Sequence, residues 1–197
     1  MKFIHAADIH LDSPLHGLSR YDGAPVAELR NATREALAGL VQLVRSEDAA
    51  LLVIAGDLFD GDWRDYNTGL FFQRQMAELG RSGVRVFVAL GNHDAGSPVT
   101  AKLTGEPNVT YFAASAPETH LLPELGLAVH GQSFSQPHVR ADLAVAFPAA
   151  VPGYFNMGVL HTSLDGRPGH APYAPTSVAT LARKGYDYWA LGHVHGR

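Results

Sequence analysis

Apolar residues along the chain fall into short runs, and five of these runs end in a cluster of polar side chains. Lys2–Ala7, Leu51–Ala55, Val84–Leu90, Phe155–Leu160 and Tyr188–Leu191 are compact, partly β-branched or aromatic, and bounded by glycine or charge, which predicts buried strands. Between them the period changes. Glu28–Ser46 carries apolar residues at Leu29, Ala32, Ala36, Leu40, Leu43 and Val44, and Tyr66–Arg81 carries them at Leu70, Phe71, Met76 and Leu79. A spacing of three to four predicts helices with one buried face, the second stopped by Gly80 and Gly83. Thr176–Lys184 predicts a third, shorter helix. Strands alternating with helices predict an α/β fold with helices packed outside a sheet.

The middle of the chain is less regular. Asn108–Phe112, Gly126–His130 and the stretch before the latter predict short strands joined by turns at Pro107, Pro117 and Pro123, forming a second, partly antiparallel sheet layered on the first. Ser163–Pro175, rich in glycine and proline, predicts a long loop that walls a crevice directly after His161. No internal repeat or linker interrupts the chain, so residues 1–197 are expected to form one domain.

The polar clusters are Asp8-Ile9-His10, Gly56-Asp57-Leu58-Phe59-Asp60, Gly91-Asn92-His93-Asp94, His161-Thr162 and Gly192-His193-Val194-His195. Each follows a predicted strand. In α/β folds the loops beyond the carboxyl ends of the strands converge on one crevice, so segments distant in sequence are expected to meet there. Two divalent cations held about 3.5–4 Å apart need a shared anionic ligand, further oxygen and nitrogen donors, and positions left for water and substrate. The clusters hold that inventory. One Asp-x-His or Gly-Asp pair alone is ordinarily a turn or a helix cap, and it is the series that points to chemistry.

Composition narrows the metal. The chain has no cysteine, which excludes a disulfide framework and a thiolate zinc site and leaves imidazole, carboxylate and amide donors, favouring manganese, iron or zinc. A net charge of −4 argues against a protein that coats nucleic acid. It does not exclude a nuclease, because two bound dications would reverse the local field where a phosphate docks. No apolar run approaches the roughly 18–20 residues of a membrane span, so no membrane contact and a cytoplasmic location are expected.

The clusters resemble the motif series of the calcineurin-like metallophosphoesterases. Phe3-Ile4-His5-Ala6-Ala7-Asp8-Ile9-His10-Leu11-Asp12, Asp65-Tyr66-Asn67-Thr68-Gly69-Leu70-Phe71-Phe72, His130-Gly131-Gln132-Ser133-Phe134 and the segment from Tyr186 to His195 are similar to the YhaO-type DNA-repair exonucleases, relatives of SbcD. The likeness runs from the first residue to the last. It implies a layered α/β/β/α sandwich. It also implies two divalent ions, manganese first with iron, zinc or magnesium as substitutes. Asp8, His10, Asp57 and His195 would hold one ion and Asp57, Asn92, His161 and His193 the other, with Asp57 offsetting the repulsion between the cations. Asn92 would fill a position without adding negative charge. The implied reaction is hydrolysis of DNA phosphodiesters by a metal-activated water, with His93 assisting the leaving oxygen and Asp94 fixing the tautomer of His93.

Family members continue past the point that corresponds to Arg197. The resemblance therefore implies that C-terminal strands are missing and that an SbcC-like ATPase partner would be met through the missing region. It also implies an open sheet edge at Tyr188–Leu191, suited to pairing with a second copy as a homodimer.

Other polar and aromatic residues carry less. Asp60 is expected to act as a cap or as a hydrogen-bond partner of a ligand. Asp12 and His16 follow the first cluster and are within sequence reach of a substrate. His5, His120, His130, His138 and His170 are expected on the surface or as satisfied core residues. Trp63, Tyr66, Phe71, Phe72 and Trp189 are expected in the core, with base stacking as the alternative. Arg20, Arg64, Arg140 and Arg167 stand in predicted loops where phosphates could be met. Three function classes remain: a DNA nuclease, a phosphodiesterase or phosphatase of small molecules, and a binding module that has lost catalysis. The third is disfavoured because the ligand series is intact.

Overall fold

The computed structural model describes residues 1–13, 26–60, 65–97, 106–165 and 172–194. Its strands are β1 (Phe3–Ala6), β2 (Leu51–Ala55), β3 (Arg85–Ala89), β4 (Val109–Tyr111), β5 (Glu118–Leu122), β6 (Leu127–Gly131), β7 (Phe155–His161) and β8 (Tyr188–Gly192). The helices are α1 (Val26–Ser46), α2 (Tyr66–Arg81) and α3 (Val178–Ala182). They build two four-stranded sheets, ordered β1-β2-β3-β4 and β5-β6-β7-β8. The first is parallel throughout, whereas in the second only β5 and β6 pair antiparallel.

Side-chain alternation sorts the layers. On β2 and β3, Leu52, Ile54, Val86 and Val88 face one way and pack with Leu37, Val41 and Val44 of α1 and Phe72, Met76 and Leu79 of α2. Leu51, Val53, Ala55, Phe87 and Ala89 face the other way, onto Leu127, Val129, Met157, Val159 and Ala190 of the second sheet. Leu160 on the outer side of β7 meets Leu181 of α3 and Ala144 and Phe147 beside the 3₁₀ turn at Leu143–Ala146. The result is an α/β/β/α sandwich, because each sheet is apolar on both faces and needs cover on both. Burying a side chain such as Phe72 or Met76 contributes roughly 1.5–3 kcal/mol each.

Local signals set the helix ends. Asp65 caps α2 by accepting from Asn67 N, and Ser177 Oγ accepts from Thr180 N at 3.1 Å to start α3. Between β7 and β8, the indole of Trp189 lies where a Cβ at Gly158 would stand 2.3 Å away, so no larger residue fits there.

Three expectations are corrected. Val109–Tyr111 joins the first sheet, pairing with β3, rather than the second. On α1 the buried stripe is Leu37, Val41 and Val44, whereas Ala36 is exposed and Leu43 is 46% exposed. On α2 Phe72 is buried and Leu70 is 50% exposed. On α1 the expected Ala32 and Ala36 offer little area to bury, and Leu37 and Val41 face the core instead.

Among the described residues β8 pairs only with β7. No helix among the described residues is long and apolar enough to cross a membrane.

Candidate metal centre

β1 and β2 lie side by side, and their parallel pairing continues into the loops beyond them. Asp8 N donates to Gly56 O at 3.0 Å, His10 N to Asp57 O at 3.0 Å and Leu11 N to Leu58 O at 2.9 Å. The backbone along this seam is not that of a strand. Asp8, His10 and Asp57 have φ of 54°, 45° and 51°, and His193 has φ of 93° after β8. Left-handed conformations in residues with a Cβ cost about 1–3 kcal/mol each and persist where the surroundings impose them, characteristically at functional sites. Here they break the strand alternation, and side chains from two loops turn toward one another.

Asp8, His10 and Asp57 bring ligand atoms within 4.8 Å of one another, and so do Asp57, His161 and His193. Asp57 belongs to both groups. Asn92 Oδ1 adds to the second, 3.1 Å from His161 Nε2. His195 lies outside the described residues. Asp8 is further tied to the β8 loop, its carboxylate accepting from His193 N at 3.1 Å.

His161 tests whether these residues suit a cation. Its Nδ1 is 2.9 Å from Ala55 O, a carbonyl that can only accept, so Nδ1 carries the proton. In the neutral ring Nε2 then presents a lone pair to Asp57 Oδ2 at 3.2 Å and Asn92 Oδ1 at 3.1 Å. Acceptors held this close together are what a metal ion satisfies. Burial alone would lower the His161 pKa, but the hydrogen bond and charge of Asp57 reverse this and raise it. Burial pushes Asp57 up in turn, yet His161 and the His93 N–H, 3.0 Å from Oδ1, bring it below the usual carboxylate range. The donor set fits a pair of divalent cations, one among Asp8, His10 and Asp57 and one among Asp57, Asn92, His161 and His193.

Asp60 organises the open side of the centre. One of its oxygens, Oδ1, is 2.8 Å from His10 Nδ1 and 2.9 Å from His93 Nδ1. The two rings stand perpendicular with centroids 4.9 Å apart. Burial acts to raise the Asp60 pKa, but hydrogen bonds from His10, His93 and Ser13 hold it far below the usual range, so it is an anion. The Asp60 hydrogen bond is the leading cause that raises both His10 and His93. With Nδ1 committed to Asp60, each ring has Nε2 left for chemistry, and the His93 side chain is 45% exposed.

The structure therefore gives Asp60, not Asp94, as the partner of the His93 ring. Asp94 sits in the 3₁₀ turn Asp94–Gly96 with its carboxylate folded inward. It accepts from Leu58 N at 3.1 Å, Phe59 N at 2.8 Å and Gly91 N at 2.9 Å. Burial pushes its pKa up to about 6, against these three N–H groups that favour the anion. Asp94 braces the Asp57 loop to the Asn92 loop.

Two glycines make room. A Cβ at Gly56, where φ is 90°, would stand 2.3 Å from His161 Nδ1, and one at Gly91 would stand 2.3 Å from Asp57 Oδ1. The glycine before each ligand lets another ligand approach its backbone.

Residues outside the clusters divide. Asp12 is structural: it accepts from Arg34 Nε at 2.9 Å and Thr68 Oγ1 at 2.6 Å, joining α1 to α2. His130 is a satisfied core histidine between Thr119 Oγ1 and Asn156 Oδ1, at 2.8 and 3.0 Å. Phe72 is core, Phe71 lies under the Arg34 guanidinium, Trp189 stacks on Tyr186, and Tyr66 is 51% exposed. His16, His170, Trp63, Arg20, Arg64 and Arg167 lie outside the described residues. Two residues not expected at the site do reach the centre. Phe134 packs edge-on against His161 with centroids 5.6 Å apart, and Tyr173 stands 5.5 Å from the His193 ring.

The calcineurin-like phosphoesterase family model matches residues 1–197. The chain belongs to that family. Calcineurin-like phosphoesterases use divalent metals, and the groups around Asp57 are candidate ligands for such ions. It is 32% identical over 200 residues to the uncharacterized metallophosphoesterase YhaO of Bacillus subtilis (strain 168), across all of this chain and 49% of that protein. It is 27% identical over 212 residues to the DNA double-strand break repair protein Mre11 of Methanopyrus kandleri, across 99% of this chain and 44% of that protein. The chain thus spans about half the length of the curated relatives it matches.

Proposed function

We propose that this calcineurin-like phosphoesterase hydrolyses DNA phosphodiester bonds in repair, using two divalent ions of which manganese is the favoured choice. The observation that carries the proposal is that Asp57 belongs to both donor groups. When bound, the ions would neutralise charge on the phosphorus-bound oxygens and lower the pKa of water.

The chain's own groups would do the rest. Asn92 offers a neutral oxygen beside His161, so this part of the site adds no negative charge against the phosphate. His93, its Nδ1 engaged by Asp60 and its side chain half exposed, supplies a proton from Nε2 to the departing oxygen. The hydrogen bond to Asp60 favours the protonated form of that ring. No protein nucleophile is required.

DNA is favoured as substrate by the likeness to a DNA double-strand break repair protein. An SbcC-like ATPase partner, a homodimer and a cytoplasmic setting belong to the same proposal. The net charge of −4 favours the second reading, a small-molecule diester.

The test is manganese-loaded protein assayed on linear DNA, p-nitrophenyl esters and cyclic dinucleotides. Degradation of linear DNA is expected. Turnover of the small diesters with intact DNA across several lengths would replace the nuclease proposal with the small-molecule one.

A further inference from the structure

The segment that carries Tyr173 is held more tightly than a loop requires. Ser163 N donates to Tyr173 O at 2.9 Å, Thr162 Oγ1 to Ala174 O at 2.6 Å, and Ala174 N to Val139 O at 2.7 Å. Ala174 is fully buried and held at a φ of 39°, a strained conformation for a residue with a Cβ. Pro172 and Pro175 flank the pair and fix further backbone angles. The segment is thereby fastened on one side to the residues that follow ligand His161 and on the other to the loop after β6. Phe134, Val139 and Ala174 form a small core beneath it.

The segment adjoins both the metal centre and a cavity. The Tyr173 ring stands 5.5 Å from His193 and 5.4 Å from His138. The cavity, of about 400 Å³, is lined by His138, Arg140, Pro172, Tyr173 and Pro175. Both His138 and Arg140 are exposed. Among the described residues Arg34, Arg45 and Arg85 pair with carboxylates, whereas Arg140, like Arg74, Arg81 and Arg183, does not. A permanent cation, a hydrogen-bonding imidazole and an aromatic face, two ring contacts from a metal ligand, have the chemistry of a polynucleotide backbone site.

We propose that His138 and Arg140 bind a phosphate of the substrate strand other than the one being cleaved, with Tyr173 as the fixed spacer between the two positions. This rests on the phosphodiesterase reading above and adds the substrate class: an extended strand of several nucleotides. A strand carries one charge per nucleotide, so a site two ring contacts from His193 meets a phosphate other than the one at the metal centre. Arg140 supplies the charge and two parallel N–H donors, His138 a further donor. Bis(p-nitrophenyl) phosphate has no second phosphate to place there.

The test compares the 197-residue chain with the H138Q/R140Q variant, and with R45Q as a control for charge on the far, helical layer. Binding of a fluorescein-labelled single-stranded oligonucleotide to metal-free protein is followed by anisotropy across a salt series. The double variant is expected to bind roughly tenfold more weakly, with the slope of log K against log salt reduced by about 1, while R45Q matches the wild type. With manganese, kcat/KM is expected to fall at least tenfold more on the oligonucleotide than on bis(p-nitrophenyl) phosphate. Equal affinity and slope in wild type and double variant, or no oligonucleotide binding by the wild type, would overturn the subsite. A binding difference without any cleavage of the oligonucleotide would instead remove the nuclease proposal and leave the subsite standing.

Discussion

His93 Nδ1 stands 2.9 Å from Asp60 Oδ1, and that same oxygen is 2.8 Å from Nδ1 of His10. One carboxylate thus orients a prospective metal ligand and a prospective general acid together. Asp60→Ala frees both rings at once. It is expected to lower metal affinity and kcat by roughly 10–100-fold each, the usual effect of losing such an outer hydrogen-bond partner. Titration of metal into the variant, followed by turnover at saturating metal, separates the two losses. A change in only one would show that Asp60 serves a single ring.

His93 differs from its neighbours in offering no bond to the shared Asp57 through its side chain, only through its backbone N–H. His93→Ala should therefore keep the metal content of the wild type. Turnover should fall by roughly 10²–10⁴-fold, as expected for a lost acid–base group. Elemental analysis together with kcat on one diester checks both halves. Unchanged turnover in fully loaded protein would remove the role.

Asp94 has a different signature. Asp94→Ala leaves the N–H groups of Leu58, Phe59 and Gly91 without their acceptor in a buried place. Each such orphan costs about 1–3 kcal/mol when unrelieved. The expected outcome is a large drop in thermal stability that appears in metal-free protein too, and denaturation with and without chelator measures it. A loss confined to turnover would contradict the bracing role.

Gly91→Ala tests packing rather than chemistry. The added carbon would stand 2.3 Å from Asp57 Oδ1 in the present backbone. Either the Asp57 side chain or the Gly91 turn must shift, and metal binding should weaken strongly while the remote α1–α2 core is untouched. Calorimetric metal titration is the measurement. Wild-type affinity in the variant would mean the loop yields at no cost.

Much of this was legible in the sequence, for physical reasons. Buried strands such as Leu51–Ala55 are apolar on both faces, so they read as continuous runs, and their ends mark the site. The ligand series stood out because metal chemistry limits the residue types that can serve. The sheet to which Val109–Tyr111 belongs was not legible, since a three-residue strand carries no record of its partner. Nor was the choice of Asp60 over Asp94 for His93. Both carboxylates lie close in the pattern, and only the 3₁₀ turn that folds Asp94 inward decides between them. Tyr173 belongs to no motif, and its approach to His193, like that of Phe134 to His161, comes from tertiary packing.

The central claim is that Asp57 lies between two cations. Crystals of the chain soaked in manganese, measured at the metal absorption edge, test it most directly. The account predicts two anomalous peaks about 3.5–4 Å apart, one on each side of the Asp57 carboxylate, the first beside Asp8 and His10 and the second beside Asn92, His161 and His193. A single peak at saturating manganese, or peaks that leave Asp57 uncoordinated, would contradict it.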